Sequence, residues 1–98
     1  MATERSHNNW STPPELFRVL NDEFHFDLDA AASAENALVS YYINEERNAL
    51  VTPWAGRAVW CNPPYGRGNE GSASLLTQFI TRGYEQSVEQ HNTVVMLI

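Results

Sequence analysis

The stretch Ala58-Val59-Trp60-Cys61-Asn62-Pro63-Pro64-Tyr65-Gly66 constrains this chain more than any other. A run of small, β-branched and aromatic residues predicts a buried strand ending at Cys61, and Pro63 stops it because proline cannot donate to a sheet ladder. Whatever chemistry the next residues carry therefore sits at the carboxyl end of a strand, where open α/β sheets bind ligands. Asn62 offers a side-chain carbonyl there. Pro63 offers a backbone carbonyl of restricted direction, because its ring fixes its own φ and the following proline restricts its ψ. Two neighbouring acceptors suit a primary amine. Tyr65 adds a flat face on which a planar ring can stack, and Gly66 leaves room for it. The same residues also fit an ordinary loop.

This stretch resembles the Asn-Pro-Pro-Tyr motif of S-adenosylmethionine-dependent amino methyltransferases, which methylate exocyclic amines of DNA bases. The resemblance implies a catalytic role for Asn62, Pro63, Pro64 and Tyr65.

At 98 residues the chain makes one small domain with one core. Twelve acidic residues face six arginines, with no lysine, so the formal net charge is −6. A protein that grips DNA chiefly by neutralising phosphates should be basic, so strong autonomous DNA binding is disfavoured. A local patch of Arg57, Arg67 and Arg82 remains as the candidate contact to a DNA backbone. The single cysteine, Cys61, excludes an internal disulfide and fits a reducing cytoplasm. Lying before Asn62 in an apolar run, it reads as a small hydrophobe rather than a nucleophile. His7, His25 and His91 show no metal-ligand spacing with one another or with Cys61, and no metal is expected. Residues 1–9 are polar and read as a disordered tail, with neither a signal peptide nor a membrane span.

From Trp10 the order begins. Thr12 with Glu15 forms a capping box, Pro13 suits the first helical position, and Leu16, Phe17, Leu20 and Phe24 follow helical spacing. Phe24 to Asp29 alternates with period two and predicts a strand with one buried face. Ala30-Ala31-Ala32-Ser33 follows, small enough for the backbone to approach a ligand, with an acid beside it to hold a cationic amine. It equally fits an alanine-rich helix start.

Beyond it, 34–40 reads as a short helix, 41–43 as a short strand and 44–50 as a loop or helical turn. Pro53-Trp54-Ala55-Gly56 turns the chain into the central strand. Residues 66–71 contain three glycines, and the loop either folds over a substrate or merely connects. A helix is predicted over 72–90, with Leu75, Leu76, Phe79, Ile80, Tyr84 and Val88 on its apolar face and Gly83 allowing close packing. Thr93 to Ile98 predicts a parallel strand buried on both faces.

Further pieces carry the resemblance across nearly the whole chain beyond Asn9: Trp-Ser-Thr-Pro, Leu-Asp-Ala-Ala-Ala, Glu-Asn-Ala, Ala-Leu, Trp-x-Gly, Asn-Pro-Pro-Tyr-Gly and Val-Val-Met-Leu, in that order. The ordered set resembles the phage-type DNA adenine methyltransferases. That implies an α/β fold with a Rossmann-like S-adenosylmethionine-dependent methyltransferase core, three-layered, with a mainly parallel sheet incomplete at the C-terminus. Residues 10–98 would form a partial methyltransferase domain, with the strands at 24–29, 58–61 and 93–98 as central neighbours.

The implied cofactor is S-adenosylmethionine, held by Trp10, Thr12, Pro13, Asp29, Ala30 and Asn48. The family commonly has acidic residues where this chain has Arg47 and Asn48, so cofactor hydroxyls would meet an amide there. The implied substrate is double-stranded DNA with a flipped adenine, in the cytoplasm of a bacterial host and encoded by phage or prophage. Three alternatives stand beside this reading: a non-catalytic remnant that at most binds cofactor, methylation of the cytosine amine, and protein or RNA amide methylation. Relatives of this kind usually continue past the last strand, so an open sheet edge is expected, coverable by a second copy of the chain.

Overall fold

The computed structural model describes residues 12–64, 66 and 73–98, and its middle is a four-residue strand whose side chains are all buried, β2 (Ala58–Cys61). Hydrogen-bonded to it on either side, both parallel, lie β1 (Leu28–Asp29) and β3 (Thr93–Met96). Side chains alternate across a strand, and the core divides accordingly. Val59 and Cys61 face one way, packing with Leu28, Ala30, Trp54, Phe79, Val94 and Met96. Ala58 and Trp60 face the other, with Phe26, Phe17, Leu20, Val95 and Leu97. Helix α1 (Pro14–Phe24) supplies Phe17 and Leu20 to one face, and α2 (Leu75–Glu89) supplies Leu75 and Phe79 to the other. The result is a three-layer α/β arrangement.

Several boundaries differ from the sequence expectation, each for a local reason. Thr12 does not cap α1. Pro13 is the N-cap, held extended at ψ 128° because a proline follows it, and Pro14 becomes the first helical residue without any side-chain cap. Glu15, released from the capping box, pairs with Arg18 at 2.8 Å.

At the other end, helical spacing wins over the period-two pattern as far as Phe24. His25 then ends α1 at a left-handed φ of 55°, and Asn21 Oδ1 accepts the Phe26 N–H at 2.8 Å. The expected strand over 24–29 is therefore only two residues long, with Asp27 N–H to Ala58 C=O (2.9 Å) and Ala30 N–H to Trp60 C=O (2.9 Å) extending its ladder.

No helix forms over 34–40. Ser33 C=O takes the N–H groups of Asn36 and Ala37, Asn36 Oδ1 takes the Ser33 N–H, and Leu38 N–H goes to Asp29. Side chains of this kind offer the backbone an alternative to helix, and here they prevail. The expected strand at 41–43 is present as a parallel bridge between Tyr42 and Asp29, with Ile43 N–H donating to Asp29 C=O at 2.9 Å.

Helix α2 starts at Leu75, because Ser74 caps it by accepting the Thr77 N–H. Phe79, Gly83 and Gln86 form its buried stripe. A Cβ on Gly83 would come within 2.5 Å of Met96 Cε, so glycine does permit the close approach of helix and sheet. Ile80, Tyr84 and Val88, expected on the inner face, are exposed, Tyr84 to 72%. They begin one residue after Phe79, about 100° round the helix, and the sheet is too narrow to reach them.

Strand β3 was expected to be buried on both faces. Among the described residues it is the outer strand, with one neighbour, and its side chains are half-buried or exposed.

The amino end of the sheet is tightly bound. Trp54 is fully buried, its N–H donating to Gln86 Oε1 (2.7 Å), its indole to Ala49 C=O (2.9 Å), and its own C=O accepting from Asn92 Nδ2 (2.9 Å). Asp27 accepts the Arg57 N–H and the Ala58 N–H at 3.0 and 3.1 Å. A Cβ on Gly56 would lie 2.7 Å from Asp27 Oδ1, so only glycine fits that turn.

Candidate active site at the carboxyl ends of β1 and β2

Connectivity locates the crevice. After β1 the chain first lays 41–43 along one edge of β1 and then places β2 along the other. The direction of winding thus reverses between β1 and β2, and in an open parallel sheet such a reversal opens a ligand crevice beyond the strand carboxyl ends. Asp29-Ala30 and Asn62-Pro63 occupy those two ends.

On the β1 side, Asp29 is only 3% exposed. Its Oδ1 accepts the Ala31 N–H at 3.3 Å and its Oδ2 the Leu38 N–H at 3.2 Å. Burial raises its pKa to about 6, partly opposed by the two backbone donors from Leu38 and Ala31. The carboxylate therefore braces the 30–38 segment and retains charge at neutral pH. Ala30 beside it is fully buried. Cys61, across the strand pair, has its thiol pushed well above the ordinary range by burial and, secondarily, by the Asp29 charge. It is a neutral, small apolar side chain in the core, as its place in the apolar run suggests.

On the β2 side, the chain leaves the sheet through Asn62, buried Pro63 and Pro64. Asn62 Nδ2 donates to Thr12 Oγ1 at 3.2 Å, joining residues 50 positions apart. That bond brings the entry to α1, with Thr12 and the N-cap Pro13, onto the end of β2. Thr12, which the sequence pattern offers as a helix cap, is instead bonded to Asn62. Its partnership with Asn62 carries no local signal.

The turn after 41–43 holds Asn48 at a left-handed φ of 64°. Its Oδ1 accepts the Leu50 N–H at 3.0 Å, and its C=O accepts from Val51 and Thr52. These bonds are internal to the turn, and Asn48 makes no hydrogen bond to Thr12, Asp29 or Asn62. The Leu38 backbone donor was missed from sequence because 34–40 reads as helix, which would have consumed its N–H.

Trp10 and Tyr65 lie outside the described residues, as do Arg67, the tail at 1–9 and most of the 66–71 loop. The two described arginines of the suspected patch do not meet at this crevice. Arg57 precedes β2 and so marks the opposite end of the sheet. Arg82, on α2, donates Nε to Ala49 C=O (3.1 Å) and Nη2 to Thr52 C=O (2.9 Å), which commits it to holding the 49–52 turn. Among the described residues no helix is long and apolar enough to cross a membrane.

A family model described as DNA N-6-adenine-methyltransferase (Dam) matches residues 2–98. A DNA N-6-adenine-methyltransferase of Haemophilus phage HP1 is 38% identical over 91 residues, covering 91% of this chain and 48% of the relative. A protein of the same description from Escherichia phage T1 is 36% identical over 91 residues, again 91% of this chain but 34% of the relative. The chain thus spans about half the length of one relative and about a third of the other. No solved structure matches the chain significantly.

Proposed function

Because the chain belongs to the DNA N-6-adenine-methyltransferase (Dam) family, we propose that it transfers a methyl group from S-adenosylmethionine to the exocyclic amine of adenine in DNA, on a Rossmann-like core. The observation that carries this reading is the meeting of Thr12 with Asn62 at the end of β2, beside Asp29 and Ala30, where the winding of the sheet reverses. The residues present fit the cofactor. A buried carboxylate favours a cationic amine or sulfonium nearby, and the small side chains of Ala30 and Ala31 let the backbone come close to a ligand.

Thr12, Pro13, Asp29 and Ala30 would hold the cofactor, with Trp10, and with Asn48 toward its hydroxyls. When bound, S-adenosylmethionine supplies an electrophilic methyl carbon on a sulfonium. The chain's own work is then on the amine. An adenine amino nitrogen is a poor nucleophile because its lone pair is delocalised into the ring. Asn62 Oδ1 and the Pro63 carbonyl accept its two hydrogens, which favours a pyramidal nitrogen whose lone pair is directed at the carbon. Such acceptors strengthen as positive charge grows on nitrogen, so their stabilisation falls on the transition state. Pro64 restricts the direction of the Pro63 carbonyl, and Tyr65 stacks on the base once it has left the helix.

Incubating the purified chain with methyl-labelled S-adenosylmethionine and double-stranded DNA, then digesting to nucleosides, tests this. Label in N6-methyladenine is expected. Asn62→Ala should lower transfer by about a thousandfold with an unchanged far-ultraviolet spectrum. Label in cytosine, or undiminished transfer by Asn62→Ala, would defeat the reading. A chain that gives no saturable heat when titrated with S-adenosylmethionine would be a non-catalytic member of the family.

A further inference from the structure

Away from the crevice, the outer edge of β3 and the flank of α2 above it form one uncovered surface among the described residues. Thr93 and Leu97 donate their N–H groups inward, to the Arg57 and Cys61 carbonyls at 3.0 Å. Backbone groups alternate along a strand, so those of Val94 and Met96 point outward, where no described strand meets them. The helix turns a matching face to the same side. Arg82 reaches the 49–52 turn, and Gly83, about 100° further round, sits on Val94 and Met96 of β3. Continuing in that sense, Ile80, Tyr84 and Val88 pass beyond the last strand, and they are 41, 72 and 56% exposed. The charged residues of α2, Arg82, Glu85 and Glu89, all lie on the other flank, and β3 has none.

We infer that this edge is a self-association surface, at which two copies of the chain pair β3 with β3 antiparallel and pack α2 against α2 about a twofold axis. The backbone pattern singles out a second copy as the occupant. With the axis at Val95, Val94 of each copy exchanges both backbone hydrogen bonds with Met96 of the other, so the strand is its own complement. An axis relating antiparallel neighbours stands normal to the sheet and preserves its faces. Both α2 helices therefore arrive on the same side, where Ile80, Tyr84 and Val88 of one copy meet those of the other. Charge agrees with this. Each copy carries a net charge of −6, which opposes association wherever acids converge, and this flank of α2 brings none to the axis. The surface is separate from the crevice, which lies between β1 and β2 on the far side of β2.

Sedimentation equilibrium of the purified full chain is expected to give twice the 11.1 kDa of one chain. Tyr84→Glu and Val88→Glu, at positions that solvent reaches in the single chain, should each weaken association by about thirtyfold or more, with an unchanged far-ultraviolet spectrum. Val95→Cys tests the register. Its two copies would face each other as a non-hydrogen-bonded pair, with Cα atoms about 4.5 Å apart, which a disulfide can span. Mild oxidation of Val95→Cys should give a covalent dimer on a non-reducing gel, and the wild type should give none because Cys61 is buried. A single-chain mass at every concentration would overturn the inference. So would a dimer that neither glutamate substitution weakens, or one that Val95→Cys fails to cross-link.

Discussion

The two ends of the sheet use the same kinds of residue to opposite effect. At the amino end, Asp27 is exposed, accepts the Arg57 and Ala58 N–H groups at 3.0 to 3.1 Å, and fills the space that Gly56 leaves. Trp54 and Asn92 complete a ring of bonds there, 2.7 to 3.0 Å long. At the carboxyl end, Asp29 is buried, its backbone donors stand at 3.2 and 3.3 Å, and its pKa is raised to about 6. The Thr12 to Asn62 bond is equally long. An exposed carboxylate that accepts two backbone N–H groups keeps its hydration and stabilises the fold, whereas a buried one loses hydration that two backbone donors offset only in part. The carboxyl end thus tolerates an unfavourable charge, and such sites are where function concentrates.

The sharpest way to break this contrast is to titrate it. The folded-state pKa of Asp29 lies above its ordinary 3.8, so the folded chain holds the proton more tightly than the unfolded one. Its favourable contribution is complete below about pH 3 and is lost as pH rises through about 6. Stability of the wild type relative to Asp29→Asn should therefore fall by about 3 kcal/mol between pH 3 and pH 7. Urea unfolding of both chains across that range checks the slope, and a difference independent of pH would remove the asymmetry between the ends.

Next in size is the amino-end carboxylate. Asp27→Ala should destabilise by about 2 kcal/mol at pH 7, since it leaves the Arg57 and Ala58 N–H groups without their acceptor. No methylation defect beyond the loss of folded chain is expected, because the change is at the far end of β2. Parallel measurement of the unfolding midpoint and of methyl transfer by the remaining folded fraction separates the two. A specific defect in transfer would show the ends to be coupled.

The smallest effect sharpens the comparison at a connection between the ends. His25 sits at φ 55°, a left-handed position that glycine adopts without steric cost. His25→Gly should stabilise by about 0.5 kcal/mol, raising the thermal midpoint slightly and leaving the Asp29 titration unchanged. Destabilisation would mean that the imidazole, rather than the backbone turn, matters there.

Much of the fold was legible because its signals are local. The run Ala58 to Cys61 closed by Pro63, the helix through Phe79 and Gly83, and the apolar residues from Thr93 each announce their element within one window. The misreadings fall where polar side chains competed with the backbone. Ser33 and Asn36 dissolved the helix expected over 34–40, Pro14 displaced the start of α1 from Thr12, and α1 with its C-cap took Phe24 and His25 from the strand expected at 24–29. In the site, the residue types were legible through the resemblance, but their neighbours were not. Asp29 meets Leu38 through a turn that reads as helix, and Arg82 is spent on carbonyls although it reads as a free cation.

The sequence by itself determined the parallel strands, the two helices and the family, because periodicity, turn residues and ordered motifs are properties of neighbours along the chain. Only the tertiary structure decided which polar groups are paired across it: Thr12 with Asn62, Asp27 with Arg57 and Ala58, Gln86 with Trp54. Those partners lie 30 to 50 positions apart, and a hydrogen bond is satisfied by distance and angle in space, to which separation along the chain contributes nothing.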